Sequence, residues 1–300
     1  MLTINESDQL KDYSKLLFPY AYNILGVYQD AEDAVQDVLS NYFANRREDI
    51  KNIKGYLVKS VINQSINIKN KRKKVSNEDV WLPEPIATEE ADANINLREI
   101  ASYSLLILLE KLNPRERAVF ILKEAFGYSH QEIADVLSGT VEQSRQLLTR
   151  GKSKLSSTKL KSKKSGRDIV PEGILDKYIN AIRGRDTATL ENLLSDDITF
   201  FADGGDKVQV AKKRCAGYSE VSELLFFVYH KFQASYKIYA AIINHQPALL
   251  YYHGTQLMIC QIFDILQSNS KIERISSIVD PEKLKNISIR EENNPHRTEL

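Results

Sequence analysis

The sequence predicts a multidomain protein in which two all-α domains, the second with a helix-turn-helix, precede an α+β domain. Apolar residues in the first 160 positions recur at the spacing of amphipathic helices. Three helix-capping signals cluster between positions 113 and 143. After position 234 the chain changes to short runs rich in Ile, Tyr, Leu and Phe, which are typical of strands.

Length and composition restrict the class of protein. A chain of 300 residues suggests two or three domains, because a domain usually holds roughly 100–200 residues. A hydrophobic content of 42% and a charged content of 27% are ordinary for folded protein. The chain has no apolar run long enough for a membrane span and no secretory signal at its start, so we expect no membrane contact and a cytoplasmic location. Cys215 and Cys260 lack metal-ligand spacing, so we expect buried reduced thiols, no metal and no cofactor.

The net charge of +1 conceals two basic clusters. One covers residues 69–74, and the other runs from Gly151 to Arg167 without a single acid. Basic patches beside helices suit phosphate binding. A solvated linker explains the second cluster equally well, and both interpretations stay open.

Residues 1–74 are predicted to form three helices. Helical periodicity covers residues 16–25 and 33–43, and a third helix is expected over 53–71. Its apolar residues and one serine share one side: Tyr56, Leu57, Val61, Ile62, Ser65 and Ile66. Residues 75–94 hold two prolines and many acids, which predicts a linker.

Residues 95–160 carry the clearest local signals. Capping boxes are predicted at Asn113–Glu116, Ser129–Glu132 and Thr140–Gln143. The last two flank a short turn at Ser138-Gly139, which is the pattern of a helix-turn-helix. Gln and Arg side chains on the outer face of the second helix can pair with base edges in the major groove. A helical hairpin with a solvated polar face remains the alternative.

A basic linker is predicted at residues 161–170, an α+β domain at 171–285 and a tail at 286–300. Helices are expected at 172–183, 186–194 and 218–232. Strands are expected before Asp203 and at 235–244, 248–253, 256–266 and 271–279, with a hairpin turn at 267–270. Gly204-Gly205 permits a tight left-handed turn, although an ordinary hairpin would use the same residues.

Two segments of the second domain resemble region four of extracytoplasmic-function RNA polymerase sigma factors: Leu109–Leu122 and Tyr128–Ala134. In that family, region four binds the −35 promoter element and the flap of the polymerase β subunit. The resemblance implies −35 contacts at Glu142, Gln143, Arg145, Gln146, Arg150 and Lys152. Gly151 departs from the alanine that is common in the family, and it weakens the helix by about 1 kcal/mol.

The first domain resembles region two of the same family at Ala21–Gly26, Asp30–Val38 and Gly55–Asn63. The family's acidic helix grips the β′ clamp helices, which implies polymerase binding by Asp33, Gln36 and Asp37. Periodicity alone also explains these three as a solvated helix face. The last segment resembles the helix that faces the −10 element, after a base-capturing loop at about 47–54. It implies DNA contacts at Tyr56, Lys59, Asn63, Lys69, Lys71, Arg72 and Lys73.

The third domain resembles the SnoaL-like domain, a conical α+β fold, that is fused to some sigma factors of this family and regulates them in cis. Three motifs carry the resemblance: Trp81–Pro85, Asp203–Lys207 and Asp280–Leu284. Asp206 stands where the family has a third glycine, and Asp280 stands where it has asparagine. The residues implied in this regulation are Trp81, Pro83, Pro85, Asp203, Gly204, Gly205, Lys207, Asp280, Pro281 and Leu284. Trp81 is the only tryptophan, and we expect it to dock on a domain surface.

Together these patterns predict a sigma factor that directs RNA polymerase core to promoter DNA, without catalysis of its own. Two alternatives remain: a ligand-responsive helix-turn-helix regulator that never joins polymerase, and a SnoaL-type isomerase or cyclase tethered to DNA. An enzyme would need acid and base groups inside the cone, and no pair has a diagnostic spacing. The candidates are His230, His245, His253, Asp197, Asp203 and Asp264. An unknown small molecule at this domain is left open.

Overall fold

The computed structural model describes residues 4–45, 50–72, 80–88, 96–156, 173–211, 213–266 and 268–287. The chain divides into two compact units. Met1–Asn77 and Glu90–Ser165 form the first unit. Glu78–Glu89, which lies between the two helical domains in sequence, belongs to the second unit together with Gly166–Leu300.

The first part of the first unit is a bundle of three helices, as predicted. They are α1 (Ile4–Leu25), α2 (Tyr28–Ala44) and α3 (Ile53–Arg72), and each packs against the other two. Their shared core includes fully buried Tyr22, Ile24 and Leu57. Of the residues predicted on one side of α3, Leu57 is fully buried, whereas Tyr56 is 39% exposed. Neighbouring helical residues point about 100° apart, so two consecutive positions need not be equally buried.

The second part of the first unit follows a 3-10 turn at Leu97–Glu99. Its helices are α4 (Tyr103–Leu109), α5 (Pro114–Glu124), α6 (His130–Leu137) and α7 (Val141–Ser156). The three predicted capping boxes are confirmed at the starts of α5, α6 and α7. At α5, for example, Glu116 N donates to Asn113 Oδ1 at 2.9 Å and Asn113 N donates to Glu116 Oε2 at 3.0 Å.

Helices α6 and α7 form the predicted helix-turn-helix. Ser138 ends α6 in the left-handed conformation, with a φ of 50°, and turns the chain towards α7. Ile133 and Leu137 of α6 are buried with Leu148 of α7, so the two helices share one apolar interface. The polar side of α7 is left at the surface.

The second unit is built on a sheet of six strands. They are β1 (Leu194–Asp203), β2 (Arg214–Ala216), β3 (Lys237–Ile243), β4 (Gln246–His253), β5 (Gln256–Ile265) and β6 (Ile272–Ile278). Their order is β2-β1-β6-β5-β4-β3, and only β1 and β6 pair in parallel. The five predicted strands are confirmed, whereas the three-residue β2 was not predicted.

Helices α8 (Ile174–Gly184), α9 (Thr187–Leu193), α10 (Tyr218–Val228) and α11 (Pro281–Leu284) complete this unit. After α10 the chain continues as a π-helical turn at Tyr229–Gln233. Tyr178 of α8 packs on Phe263 of β5 with ring centres 4.9 Å apart, within one apolar core. Cys215 and Cys260 are buried free thiols, as expected.

Two predicted turns of this unit differ in detail. The β5–β6 turn is confirmed at residues 268–270, where Leu266 N donates to Lys271 O at 2.8 Å, and Gln267 lies outside the described residues. Of the two adjacent glycines after β1, only Gly205 is left-handed, with a φ of 56°.

Among the helices described here, none has the length and apolar character that crossing a membrane requires.

Candidate nucleic-acid interface and linker-binding site

The exposed face of α7 carries most of the residues expected at a −35 element. Glu142, Gln143, Arg145, Gln146 and Arg150 are all exposed, because Ser144 and Leu148 take the buried side. Gln146 Nε2 donates to Glu142 Oε1 at 3.2 Å. The Arg145 side chain has no ion pair with any described residue. This face therefore offers Arg and Gln donors of the kind that read base edges.

Other cations and amides of α7 already have partners. Gln143 Oε1 accepts from Thr140 N at 3.1 Å, so this side chain caps the helix. Lys152 Nζ lies 2.8 Å from Glu124 Oε1, and Lys154 Nζ lies 2.6 Å from Glu116 Oε2, both on α5. The half-exposed Lys152 pair is a weak surface contact that a phosphate can replace.

An acidic face of α2 holds the residues implied in polymerase binding. Asp33, Gln36 and Asp37 are exposed, while Ala34 and Val38 on the opposite side are buried. Each aspartate has one amide neighbour: Gln29 Nε2 donates to Asp33 at 3.0 Å, and Gln64 Nε2 donates to Asp37 at 3.2 Å. Both carboxylates lie at the surface.

Two residues expected at the −10 element bind the helix-turn-helix in this structure. Lys59 Nζ donates to Asp135 O at 2.7 Å, and Asn63 Nδ2 donates to Val136 O at 3.0 Å. Both acceptors lie in the last turn of α6, where carbonyl groups have no partner within their own helix. Tyr56 stays exposed near Tyr42, with ring centres 6.2 Å apart.

The basic end of α3 is not one open surface. Lys69 Nζ is largely buried and donates to Leu25 O and to Glu110, each at 3.1 Å. Arg72 pairs with Asp30 at 2.8 Å, and Lys71 is exposed. Lys73, like residues 46–49 of the expected base-capturing loop, lies outside the described residues.

Asp203 is the centre of the site that holds residues 80–88 on the second unit. Its side chain is 3% exposed and lies at the end of β1. Its Oδ2 accepts from Leu82 N at 2.7 Å and from Lys283 Nζ at 2.6 Å, and its Oδ1 accepts from Gly205 N at 2.9 Å. Such hydrogen bonds to a buried charge are stronger than those between neutral groups.

Lys283 of α11 joins Asp203 to the tryptophan motif. Its Nζ donates to Leu82 O at 2.7 Å and lies 4.6 Å from the ring centre of Trp81. A cation over an indole face is attracted by the ring electrons. Trp81 is therefore docked, as expected for the only tryptophan of the chain.

The second half of the same segment pairs with the β3–β4 turn. Ile86 N donates to Asn244 Oδ1 at 2.9 Å, and Asn244 N donates to Ile86 O at 2.9 Å. Ala87 forms an isolated bridge with Ile243, and Thr88 N donates to Ile242 O at 2.9 Å. Residues 86–88 thus extend the outer edge of the sheet next to β3.

The other residues implied in regulation lie around this site. Pro83 and Pro85 are buried beside Leu82 and Ile86. Asp280 caps α11, since Glu282 N donates to its Oδ1 at 3.0 Å. Lys207 Nζ lies 2.6 Å from Glu282 Oε1 at the surface, and this hydrogen bond, with a second from Lys285, lowers the pKa of Glu282 to about 2.

Sequence reasoning missed three members of this site: Lys283, Asn244 and Asn286. Asn286 Nδ2 donates to Glu84 Oε1 at 2.8 Å. Lys283 stands inside the Asp280–Leu284 motif, which was a usable signal. Asn244 lies in a turn with a positive φ of 47°, a conformation that asparagine tolerates, but nothing nearby indicates its partner.

The candidate acid–base residues of the third domain are distributed over several elements, with Asp197 on β1 and Asp264 on β5. His245 lies in the β3–β4 turn, His253 lies at the end of β4, and His230 is exposed on the π-helical turn. Asp203 is bound to Lys283, as described above. The described residues also contain no cluster of three His, Cys, Asp or Glu side chains suited to a metal ion.

Comparison with known proteins agrees with this geometry. The family Sigma-70, region 4 matches residues 104–155, which cover α4 to α7. The chain is 25% identical over 231 residues to the ECF RNA polymerase sigma factor SigJ of Mycobacterium tuberculosis, covering 73% of this chain and 71% of that protein. It is 27% identical over 150 residues to a probable ECF RNA polymerase sigma factor, SigI, of the same species, covering 48% of this chain and 52% of that protein.

The crystal structure of Mycobacterium tuberculosis SigJ has a similar fold, with a TM-score of 0.74 and 21% identity. The similarity covers 94% of this chain and 99% of that one. Fold and sequence thus place a sigma-70 region 4 domain at residues 104–155 and make the chain a homologue of sigma factors. More closely, the sequence is similar to sigma factors of the extracytoplasmic-function type, and the fold, including the C-terminal sheet domain, is that of SigJ.

Proposed function

We propose that the second unit regulates this sigma factor in cis by binding residues 80–88 of the linker between its two DNA-binding domains. The observation that carries the proposal is the cluster of Leu82, Asp203 and Lys283, which are joined by three hydrogen bonds of 2.6–2.7 Å, two of them at the buried Asp203 carboxylate. Backbone groups of the linker are recognised here, so the contact fixes the path of the chain as well as its position.

The physical consequence concerns the reach of the linker. Twenty extended residues span at most roughly 70 Å, and binding nine of them removes nearly half of that free length. Two DNA-binding modules on one chain depend on linker length for their effective concentration at paired sites. Linker capture therefore changes how easily both modules engage one promoter.

The same proposal assigns the surfaces that meet polymerase and DNA. The acidic face of α2, with Asp33, Gln36 and Asp37, would bind the β′ clamp helices, and the helix-turn-helix domain would bind the β flap. The outer face of α7 would read the −35 element. One side of α3 would face the −10 element, with Tyr56, Lys59, Asn63, Lys71 and Arg72. To bind DNA, Lys59 and Asn63 would first release the α6 carbonyl groups that they contact in this structure.

Run-off transcription with core polymerase tests linker capture. Asp203→Asn and Lys283→Met each remove one charge of the cluster, and losing such a bond costs ~1.5–3 kcal/mol. That energy corresponds to at least about a tenfold change in bound linker, so we expect transcript yield to change at least about threefold. Lys207→Met, which removes only a surface ion pair of the same region, should leave the yield unchanged. Equal yields from all four proteins would exclude capture as a regulatory contact.

Binding of holoenzyme to promoter DNA tests the assignment of α7. On the promoter selected from a randomised library, Arg145→Ala should weaken binding by ~1–3 kcal/mol and relax the preference at one base pair. Lys152→Ala should weaken binding equally on selected and on scrambled −35 DNA, because a phosphate contact carries no sequence information. The same uniform loss for Arg145→Ala would show that Arg145 touches only the backbone.

A further inference from the structure

The second unit contains a cavity of about 410 Å³ between its helices and the inner face of the sheet. Ile182 of α8, Phe200 of β1, Leu225 of α10, and Tyr251 and Ile259 of the central strands are among the residues that line it. Cavities of this size and apolar character commonly hold small molecules. The contacts of Asp203 and Lys283 with the linker lie outside this cavity, so the function proposed above does not by itself assign it a ligand.

The cavity wall carries no formal charge in the part of the chain that the structure describes. Among those lining residues there is no Asp, Glu, Lys, Arg or His. A charged ligand would lose its hydration without meeting an opposite charge, which is costly. The histidine, carboxylate and lysine side chains that most often serve acid–base catalysis are also absent from these lining residues. The wall therefore suits binding of a neutral molecule without chemistry.

Several buried polar groups are directed to this wall. Gln233 is 4% exposed, and its side chain forms no hydrogen bond with any residue that the structure describes. The Tyr178 hydroxyl, also in the wall, likewise has no such bond, and burial raises its pKa so that it stays protonated. Beside them, Tyr251 OH donates to Gln261 Oε1 at 2.8 Å. Both residues border the cavity, so a molecule inside it can supply the hydrogen bond that their polar groups do not make with the described residues.

We propose that this cavity is the binding site of a small, neutral, mainly apolar molecule that carries a hydrogen-bonding group for Gln233 and Tyr178. The apolar wall supplies affinity through burial of the ligand, and the amide and the hydroxyl orient it. A sigma factor would thereby carry a receptor for a neutral metabolite within its own chain.

The cavity also shares one element with the linker-binding site. Pro281 and Leu284 of α11 line the cavity, while Lys283 on the same short helix holds Leu82. A ligand that displaces α11 would therefore change linker capture. This regulatory consequence rests on the proposed function, whereas the binding site itself does not.

The test is a fluorescence titration of the full chain, without polymerase, with two dyes that share one skeleton. N-phenyl-1-naphthylamine is neutral and emits strongly in apolar sites. 1-Anilinonaphthalene-8-sulfonate adds one negative charge. We expect the neutral dye to bind saturably at one site per chain, and the sulfonate to bind there at least about tenfold more weakly because its charge is desolvated.

Three variants locate the site. Val228→Trp, which fills the cavity from α10, should weaken neutral-dye binding at least about tenfold, whereas Phe227→Trp at the exposed neighbouring position should not. Gln233→Leu should weaken binding about fivefold through the lost hydrogen bond. Near-UV circular dichroism shows whether each variant keeps its fold, and if Val228→Trp does not, Gln233→Leu decides.

Three results would overturn the proposal: no saturable binding, equal affinity for both dyes, or affinity unchanged by Gln233→Leu and by a folded Val228→Trp. Run-off transcription is measured separately with the linker variants. A failure of dye binding therefore leaves linker capture untouched, and the reverse also holds.

Discussion

At the scale of single residues, Glu110 shows how the two DNA-binding domains are joined in the first unit. Its carboxylate accepts from the fully buried Arg117 and from Lys69. Arg117 Nε also donates to Asn23 O of α1 at 2.8 Å. One carboxylate thus faces two cations. Because a guanidinium keeps its proton, burial together with Arg117 lowers the pKa of Lys69 to about 7.

This shift predicts how stability depends on pH. In the unfolded chain, lysine has a pKa of about 10.4, so between about pH 7 and pH 10 the unfolded state binds more protons than the folded state. The free energy of unfolding of the first unit should therefore rise with pH in this window. Lys69→Met should remove most of that rise, and Lys71→Met at an exposed position of α3 should not. Urea unfolding between pH 7 and pH 10 measures this free energy. If it rises equally with pH in the wild type and in Lys69→Met, the prediction is contradicted.

Gly205 and Gly254 form a matched pair for a test of the linker-binding site. Both are left-handed, with φ values of 56° and 60°. A Cβ at Gly254 would meet no atom within 4 Å, whereas a Cβ at Gly205 would overlap the Asp280 carboxylate that caps α11. Gly254→Ala should cost ~1–2 kcal/mol of unfolding free energy for its backbone conformation alone. Gly205→Ala should cost more than ~3 kcal/mol. Equal losses on denaturant unfolding would mean that Asp280 moves aside freely.

At the scale of elements, α7 contains a glycine that helix propensity disfavours. Gly151 is buried in its middle, and a Cβ there would lie 3.7 Å from Leu112 Cδ1, an ordinary contact. Gly151→Ala should therefore stabilise the first unit by ~1 kcal/mol, because the helical conformation is compatible with alanine. Chemical denaturation measures the gain, and a loss of stability would indicate that α7 and the α4–α5 connection cannot separate by even a few tenths of an ångström.

Elements differ in how far the sequence predicts them. The capping boxes at Asn113, Ser129 and Thr140 were predictable because both partners lie within four residues. Strands β3 to β6 were predictable from composition, but β2 was not, since three residues carry no periodicity. The bonds of Lys59 and Asn63 to α6 join positions 73–76 residues apart, and only tertiary packing creates them.

At the scale of the whole molecule, the segment 80–88 had ambiguous sequence signals. Its prolines and acidic flanks predicted a linker, and its tryptophan predicted docking. The receiving residues could not be predicted, because Asp203 and Lys283 lie 121 and 201 positions from Leu82. Buried Asp203 also looks like an acid–base candidate in sequence, until the structure shows that three donors occupy its carboxylate.

Burial of this segment predicts a difference in proteolysis. A chain that ends at residue 166 lacks the whole surface that covers Leu82, Pro83 and Ile86. We expect chymotrypsin to cleave the Trp81–Leu82 bond at least about tenfold faster in the shortened chain, because cleavage requires an accessible extended backbone. The cleavage rate of full-length Asp203→Asn should lie between those of the full-length wild type and the shortened chain. Mass spectrometry of the fragments measures the rates. Identical rates in the full-length and shortened chains would show that the second unit does not protect the segment.

The separation of Leu82 and Lys283 by 201 positions also sets an order of events on the ribosome. At ordinary rates of synthesis, Lys283 follows Leu82 by roughly 10–40 s, and all residues of α1 to α7 are synthesised before Lys283. During synthesis, each chain therefore passes through a stage in which these helices can form while Leu82 still lacks its partner Lys283.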